Sequence, residues 1–291
     1  MGVSTKLTRI ARFLLRADDE RVGVFVHEPS EATSGLYVIV TTLWCDEVKT
    51  TGTGKARAER DAFVRSVAEL GEALVARRER FKDRDGIAGG LFRKRAVERA
   101  CCEAIERDAF LYHYRGRRPF LAREDLARDL VAFVMASALP TIHAVLVTDR
   151  GSAEGRSECL TIGLGAHRDR AESIEKAVGE ASTMRLDHRL RPGWCADIYG
   201  GVEKPARLPD FHHAQSRDPR NREIFADLCA QTGSQRGSRS PLLHGDWRIQ
   251  RLKSPVRFLS FVRVKNPELA PLEFGRPEPE STSPPLYHPI W

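Results

Sequence analysis

The sequence predicts a mixed α/β fold, a single domain over residues 1–291 built from repeated units in which a strand, a glycine turn and a helix follow one another. Two observations carry that expectation. A glycine-containing segment opens into a long helical pattern three times, with acidic residues at matching offsets. In the first and third occurrences the glycines follow apolar, β-branched runs of strand length, LYVIVTTLW and ECLTIGLG.

In chain order, residues 1–50 supply an N-terminal helix and strands. Residues 6–17 (KLTRIARFLLRA) place Leu7, Ile10, Phe13 and Leu14 on one helical face. Residues 22–27 read as a strand ending before Pro29, and residues 36–42 as a stronger one feeding the turn Gly52-Thr53-Gly54-Lys55. That turn is not a P-loop, because Lys49 stands where the first glycine belongs and Ala56 where Ser or Thr must follow the lysine. Residues 51–190 hold the three units. The first runs from Gly54 to Ala62, eight residues on, then to Glu69, seven further, and Glu72. The central one, DGIAGGLFRKRAVERACCEAIERDAFLYHY, turns at Gly89 and Gly90 and carries Ala96, Glu103, Glu106 and Arg107 on an uninterrupted helix. After it, residues 126–139 read as an apolar core helix stopped by Pro140, and residues 142–148 as a strand in a hairpin through DRGSAEGRSE. The third unit repeats the first spacing with Gly165, Ser173 and Glu180. Residues 191–275 form a loop and strand region: 192–241 reads as a mobile loop or lid, and 257–265 alternates like a last strand. Residues 276–291 are a proline-rich tail.

Glu103 and Glu106 sit three apart with Arg107 four beyond Glu103, so the three heads leave the helix on one side. Two carboxylates that close repel unless something positive or water lies between them. Arg107, bulk water and a hard divalent cation all satisfy that need. The plain alternative is a solvated Glu/Arg face; recurrence of the pair at Glu69 and Glu72 argues against solvation alone. Four carboxylates in two such pairs could serve Mg2+ and, through it, phosphate, with Arg107 giving phosphate a fork-like contact.

Composition bounds the rest. The net charge of +7 suits an anionic ligand, but its lysines and arginines are scattered among acids and not interleaved with aromatics, which argues against nucleic acid. No apolar run reaches membrane-spanning length and the N-terminus lacks a secretion signal, so the expectation is a cytoplasmic protein. The six cysteines show no C-x2-C pairing and read as reduced thiols. His143 reads as a packed strand histidine, and His167 has the better location but no partner visible in sequence.

At this point the chain resembles a known family. DGIAGGLFRKRAVERACCEAIERDA is similar to the central signature of YcaO-domain proteins, the first and third units to that family's flanking segments, and VRVKNPELAPLEFG with PPLYHPIW to the end of its azoline-forming branch. The resemblance implies ATP and Mg2+ as cofactors. It implies ATP-driven phosphorylation of a peptide-backbone amide oxygen in the modification of ribosomally made peptides, giving azolines with a Cys, Ser or Thr nucleophile and thioamides with sulfide. By the same resemblance, Glu69, Glu72, Glu103 and Glu106 are the magnesium and phosphate-site acids and Arg107 touches phosphate, with Glu180 and Arg185 as further candidates from the third unit. It also implies a precursor peptide as substrate and a separate leader-binding or activating partner, with a homodimer left open.

Departures from the pattern are specific. Where the family commonly has Asn after the central glycines and Glu four residues later, this chain has Leu91 and Arg95, and Ala73 replaces an arginine after the first pair. The chain ends PPLYHPIW where the azoline branch has P-x-P-x-P. Two readings therefore stand: an ATP-dependent cyclodehydratase, and a degenerate domain that binds peptide or nucleotide as a scaffold for an active partner.

Overall fold

The computed structural model describes residues 2–17, 21–30, 33, 35–45, 48–79, 81, 86–127, 129–190, 215–233 and 247–270. The tail beyond residue 275 and most of the expected lid over 192–241 lie outside them. The chain divides into two compact units, one of Met1–Ala104 with Gly245–Pro267, the other of Ile105–His244 with Glu268–Trp291. The division falls within one helix, between Ala104 and Ile105.

In the first unit, strands β1 (Gly2–Val3), β2 (Val22–His27), β3 (Tyr37–Cys45) and β4 (Val48–Ala56) form an antiparallel sheet in sequence order. Helix α1 (Thr5–Leu15) starts where the Ser4 hydroxyl accepts the Leu7 N–H, and it ends at Arg16 in the left-handed region (φ 55°). Helix α2 (Glu59–Arg78) packs on the sheet, and Val24, Ile39, Ala62, Phe63, Val67 and Leu70 share one core. A second sheet joins β5 (Ile87–Gly90) to β11 (Ser260–Lys265), and β11 to β10 (Arg248–Leu252), all antiparallel. Helix α3 (Arg93–Tyr114) begins in this unit and packs Ala96 and Ala100 with Ala88, Val262 and Val264.

In the second unit, β6 (Ala122–Asp125), β7 (Leu130–Met135), β8 (His143–Asp149) and β9 (Ile162–His167) make another antiparallel sheet in sequence order. The short α4 (Arg150–Ala153) follows β8, and α5 (Arg170–Leu190) follows β9. A 3-10 turn (Gln215–Arg217) leads to α6 (Pro219–Ala230). The end of α3, with Phe110, Leu111 and Tyr114, shares its core with Phe120, Phe133, Leu146 and Phe225. The buried Tyr114 hydroxyl donates to Asn221 of α6 at 2.7 Å.

Three sequence expectations are corrected. Gly52 and Gly54, Gly89 and Gly90, and Gly165 are not in turns: they lie inside strands β4, β5 and β9. Their service is close approach. A Cβ on Gly54 would fall inside the contact radius of Ala62 O and Ser66 N, and one on Gly165 inside that of Ser173 O. Gly52 and Gly163 stand in the same relation to Ser66 O and Leu70 N on α2, and to Ala177 O and Ala181 N on α5. Residues 126–139 are not a helix. Their core is β7, with the continuous apolar run LVAFVM, a pattern that periodicity alone does not separate from a buried helix. Helix α6 lies inside the span read as loop, capped by Asp218 with Pro219 at its first turn. By contrast, β2 matches its expected bounds, and α1, α3 and the β8–β9 hairpin stand close to theirs.

Gly165→Ala is expected to lower stability by at least ~2 kcal/mol through overpacking, whereas Gly2→Ala, where a Cβ meets nothing within 4 Å, stays within about 0.5 kcal/mol. Urea midpoints of the two variants check this, and equal midpoints would discard the close-approach account.

Candidate functional site

Close packing of strand on helix fixes where the acidic side chains of α2 and α5 can reach. Glu69 Oε2 accepts the N–H of Thr53, the residue between Gly52 and Gly54, at 2.9 Å. Glu180 Oε2 accepts the N–H of Leu164, between Gly163 and Gly165, at 3.1 Å. The two units thus repeat down to this hydrogen bond. Glu72, half-buried one turn further along α2, accepts the Gly89 N–H of β5 at 2.7 Å. Arg99 of α3 lies 3.6 Å from the same carboxylate and donates to Gly89 O at 2.5 Å.

In the second unit Glu106 is 1% exposed, yet its Oε2 sits 2.6 Å from Lys176 Nζ on α5. Burial pushes the Glu106 carboxyl above its ordinary value and the nearby Glu180 charge adds to that, while Lys176 and Arg107 pull it back. An unpaired carboxylate at that depth would be costly; the ammonium makes the charged form tenable. Arg107 and Arg185 are half-buried on α3 and α5, and Glu103 is half-buried three residues before Glu106. Leu91 and Arg95, where the family pattern places Asn and Glu, are both exposed.

The structure therefore brings Glu72 to Arg99 in one unit, and Glu106 to Lys176 and Glu180 in the other. Sequence reasoning missed both cations. A signal was present: a basic residue stands four positions before the first acid of every unit, as Arg65, Arg99 and Lys176. Arg65 donates to Lys55 O at 2.7 Å.

Glutamate oxygens are the hard donors that Mg2+ prefers, and Arg107 suits phosphate, so the residue types fit a magnesium nucleotide. Among the described residues no three His, Cys, Asp or Glu side chains gather as a cage, and Glu72 and Glu106 already face a cation. The fit is good in donor chemistry and crowded by positive charge at these two acids.

Outside this set, the β9 approach and α5 hold a second polar pair, with Cys159 Sγ 3.2 Å from His188 Nδ1. Burial and the Arg217 charge lower the His188 pKa to about 4, against an opposing pull from Asp149. His167 Nδ1 accepts the N–H of Asp169 at 3.1 Å, which supplies the partner its sequence did not reveal.

A family model described as YcaO cyclodehydratase, ATP- and Mg2+-binding, matches residues 73–259, beginning one residue past Glu72. Among solved structures, YcaO from Methanopyrus kandleri bound with AMPPCP and Mg2+ is 16% identical, with a TM-score of 0.55 over 89% of this chain and 87% of that one. The E. coli microcin synthetase McbBCD complex is 12% identical, with a TM-score of 0.55 over 85% and 88%. The same complex with pro-MccB17 bound is 11% identical, with the same score and coverage. At such identities the likeness is one of fold. No curated protein matches the chain in sequence.

Because His188 protonates in the unfolded chain near 6.5 but in the folded one only near about 4, its contribution to stability is complete above the first value and is lost as pH falls toward the second. Unfolding midpoints should therefore drop between about pH 6.5 and 4, less so in His188→Gln. A ring that titrates above about pH 6 by NMR would contradict the assigned environment.

Proposed function

Because this chain belongs to the YcaO cyclodehydratase family, we propose that it activates peptide-backbone amides with ATP during modification of a ribosomally made precursor peptide. ATP and Mg2+ are the ligands of that family's domain. In the azoline-forming reaction, a Cys, Ser or Thr side chain of the substrate adds to the preceding carbonyl carbon, and its proton leaves to solvent. The oxyanion formed takes the γ-phosphoryl group of ATP and releases ADP. The C–O bond then breaks with loss of phosphate and of the amide proton, leaving the C=N bond of the ring.

The observation that carries this reading is the family match over 73–259, which spans the acid-bearing helices α3 and α5. In this reading Glu69, Glu72, Glu103 and Glu106 serve magnesium, whose charge would ease phosphoryl transfer. Arg107 binds phosphate through its fork of donors, and Glu180 and Arg185 support the same ligand. The strand N–H groups of Thr53 and Leu164 each donate to one carboxylate oxygen of Glu69 and Glu180, which favours these rotamers before ligand arrives. The precursor reaches the enzyme in the cytoplasm through a separate leader-binding or activating protein. Among the similar folds, the microcin synthetase complex with pro-MccB17 bound supports a peptide as the kind of substrate.

Thioamide formation is the neighbouring chemistry, with sulfide in place of the side-chain nucleophile. The scaffold reading, a domain that binds without turnover, is favoured by Leu91 and Arg95, since an apolar group and a cation cannot coordinate metal.

Nucleotide affinity measured by calorimetry is expected to fall roughly tenfold or more in Arg107→Ala and in Glu103→Ala, about 1.4 kcal/mol or more. Phosphate release should rise only when precursor peptide and partner are added. Saturable binding with no release under those conditions would replace the enzyme by the scaffold.

A further inference from the structure

The second acid of one repeat meets the basic residue of the next. Glu72, from the first repeat, has Arg99 of the central repeat at 3.6 Å, and Glu106, from the central repeat, has Lys176 of the third at 2.6 Å. Arg99 and Lys176 hold equivalent places, four residues before Glu103 and Glu180. The third repeat has no second acid to hand on, because Thr183 stands three beyond Glu180 and turns its hydroxyl to Gly179 O at 3.1 Å. Each junction lies within one compact unit.

We propose that Arg99 and Lys176 are built-in counter-cations that compete with divalent metal for Glu72 and Glu106, so that this chain holds magnesium more weakly than its acidic side chains alone would. The inference rests on reading those acids as magnesium-facing. Lys176 makes the stronger case. Glu106 is 2% exposed at its side chain, whereas Lys176 is 41% exposed, so the ammonium reaches in from solvent on a flexible stem to a carboxylate fixed in the interior. Glu106 and Glu180 together carry two negative charges, and Lys176 and Arg107 bring two positive ones to the same neighbourhood. A divalent ion arriving there would leave an excess of positive charge unless Lys176 swings away. Displacing it costs a charge-assisted hydrogen bond, which is the source of the weakened metal affinity. At Glu72 the Gly89 N–H takes one lone pair and Arg99 approaches the same oxygen, which leaves that oxygen the poorer metal ligand.

Mn2+ alone, without nucleotide, titrated into the full chain and followed by its free-ion spin resonance, tests this. Lys176→Gln should bind Mn2+ roughly tenfold more tightly than the parent chain, because the buried Glu106 carboxylate loses its ammonium and a hard cation takes that place. The double variant Glu106→Gln/Lys176→Gln, which removes both charges, should return to the parent affinity. Equal or weaker Mn2+ binding by Lys176→Gln overturns the proposal, and so does a double variant that binds as tightly as the single one. Should Lys176→Gln lose its cooperative melt, Arg99→Gln provides the same comparison at a more exposed acid. Binding of an ATP analogue, measured separately, bears on the family reading, so the two can fail independently.

Discussion

The distance between strand and helix is the constraint from which the rest of each repeat follows. On β4 and β9 a pair of glycines two residues apart lets the helix backbone lie where a Cβ would otherwise sit. Only at that distance can a glutamate on the helix turn back and receive the N–H of the residue between the glycines, as Glu69 does from Thr53 and Glu180 from Leu164. A wider helix would put those carboxylates beyond reach of the strand N–H groups. Packing thus decides chemistry here: small residues in a strand set the position and the residual ligand capacity of an acid on the following helix.

The charges obey the same logic. A buried carboxylate such as Glu106 is destabilising unless a partner is supplied, and the exposed Glu69 and half-buried Glu72 and Glu180 also have partners drawn from the protein itself. For Glu69 and Glu180 it includes a backbone N–H, which holds the carboxylate without itself adding charge. For Glu72 and Glu106 it includes a cation, which cancels the field. The two acids of α2 therefore differ in their contacts: Glu69 accepts a strand N–H, and Glu72 accepts one with a guanidinium close by. Counting glutamates overstates the negative charge open to a ligand.

Much of this was legible in the sequence, and the parts that were not have identifiable reasons. The offsets Gly54–Ala62–Glu69 and Gly165–Ser173–Glu180 mark repeats, and the structure renders both with the same contacts. What the offsets did not disclose is that the glycines sit in strands, because the letter says only that a Cβ is missing; a positive φ and a close neighbour are equally good reasons for that. Strand β7 was hidden because an apolar run has no period to read, and α6 because a Pro-, Ser- and Arg-rich neighbourhood masked the Asp218-Pro219 start signal. Glu106 was found as an acid, but its burial and its partner 70 residues on depend on tertiary structure that no local pattern encodes.

The three basic residues share one offset yet meet different acceptors. Arg65, the first of the series, has no earlier repeat to serve and donates instead to Lys55 O on its own strand. Arg99 divides its donors between the strand carbonyl of Gly89 and the acid of the preceding repeat. Lys176, lacking a fork, commits its ammonium to the preceding acid. The offset thus serves a clasp between helix and strand at Arg65 and a clasp between repeats twice, through a fork at Arg99 and a point charge at Lys176. In this chain, then, the side chains that tie one repeat to the next meet the same acids that the proposed function assigns to a ligand, so tying and binding draw on the same carboxylates.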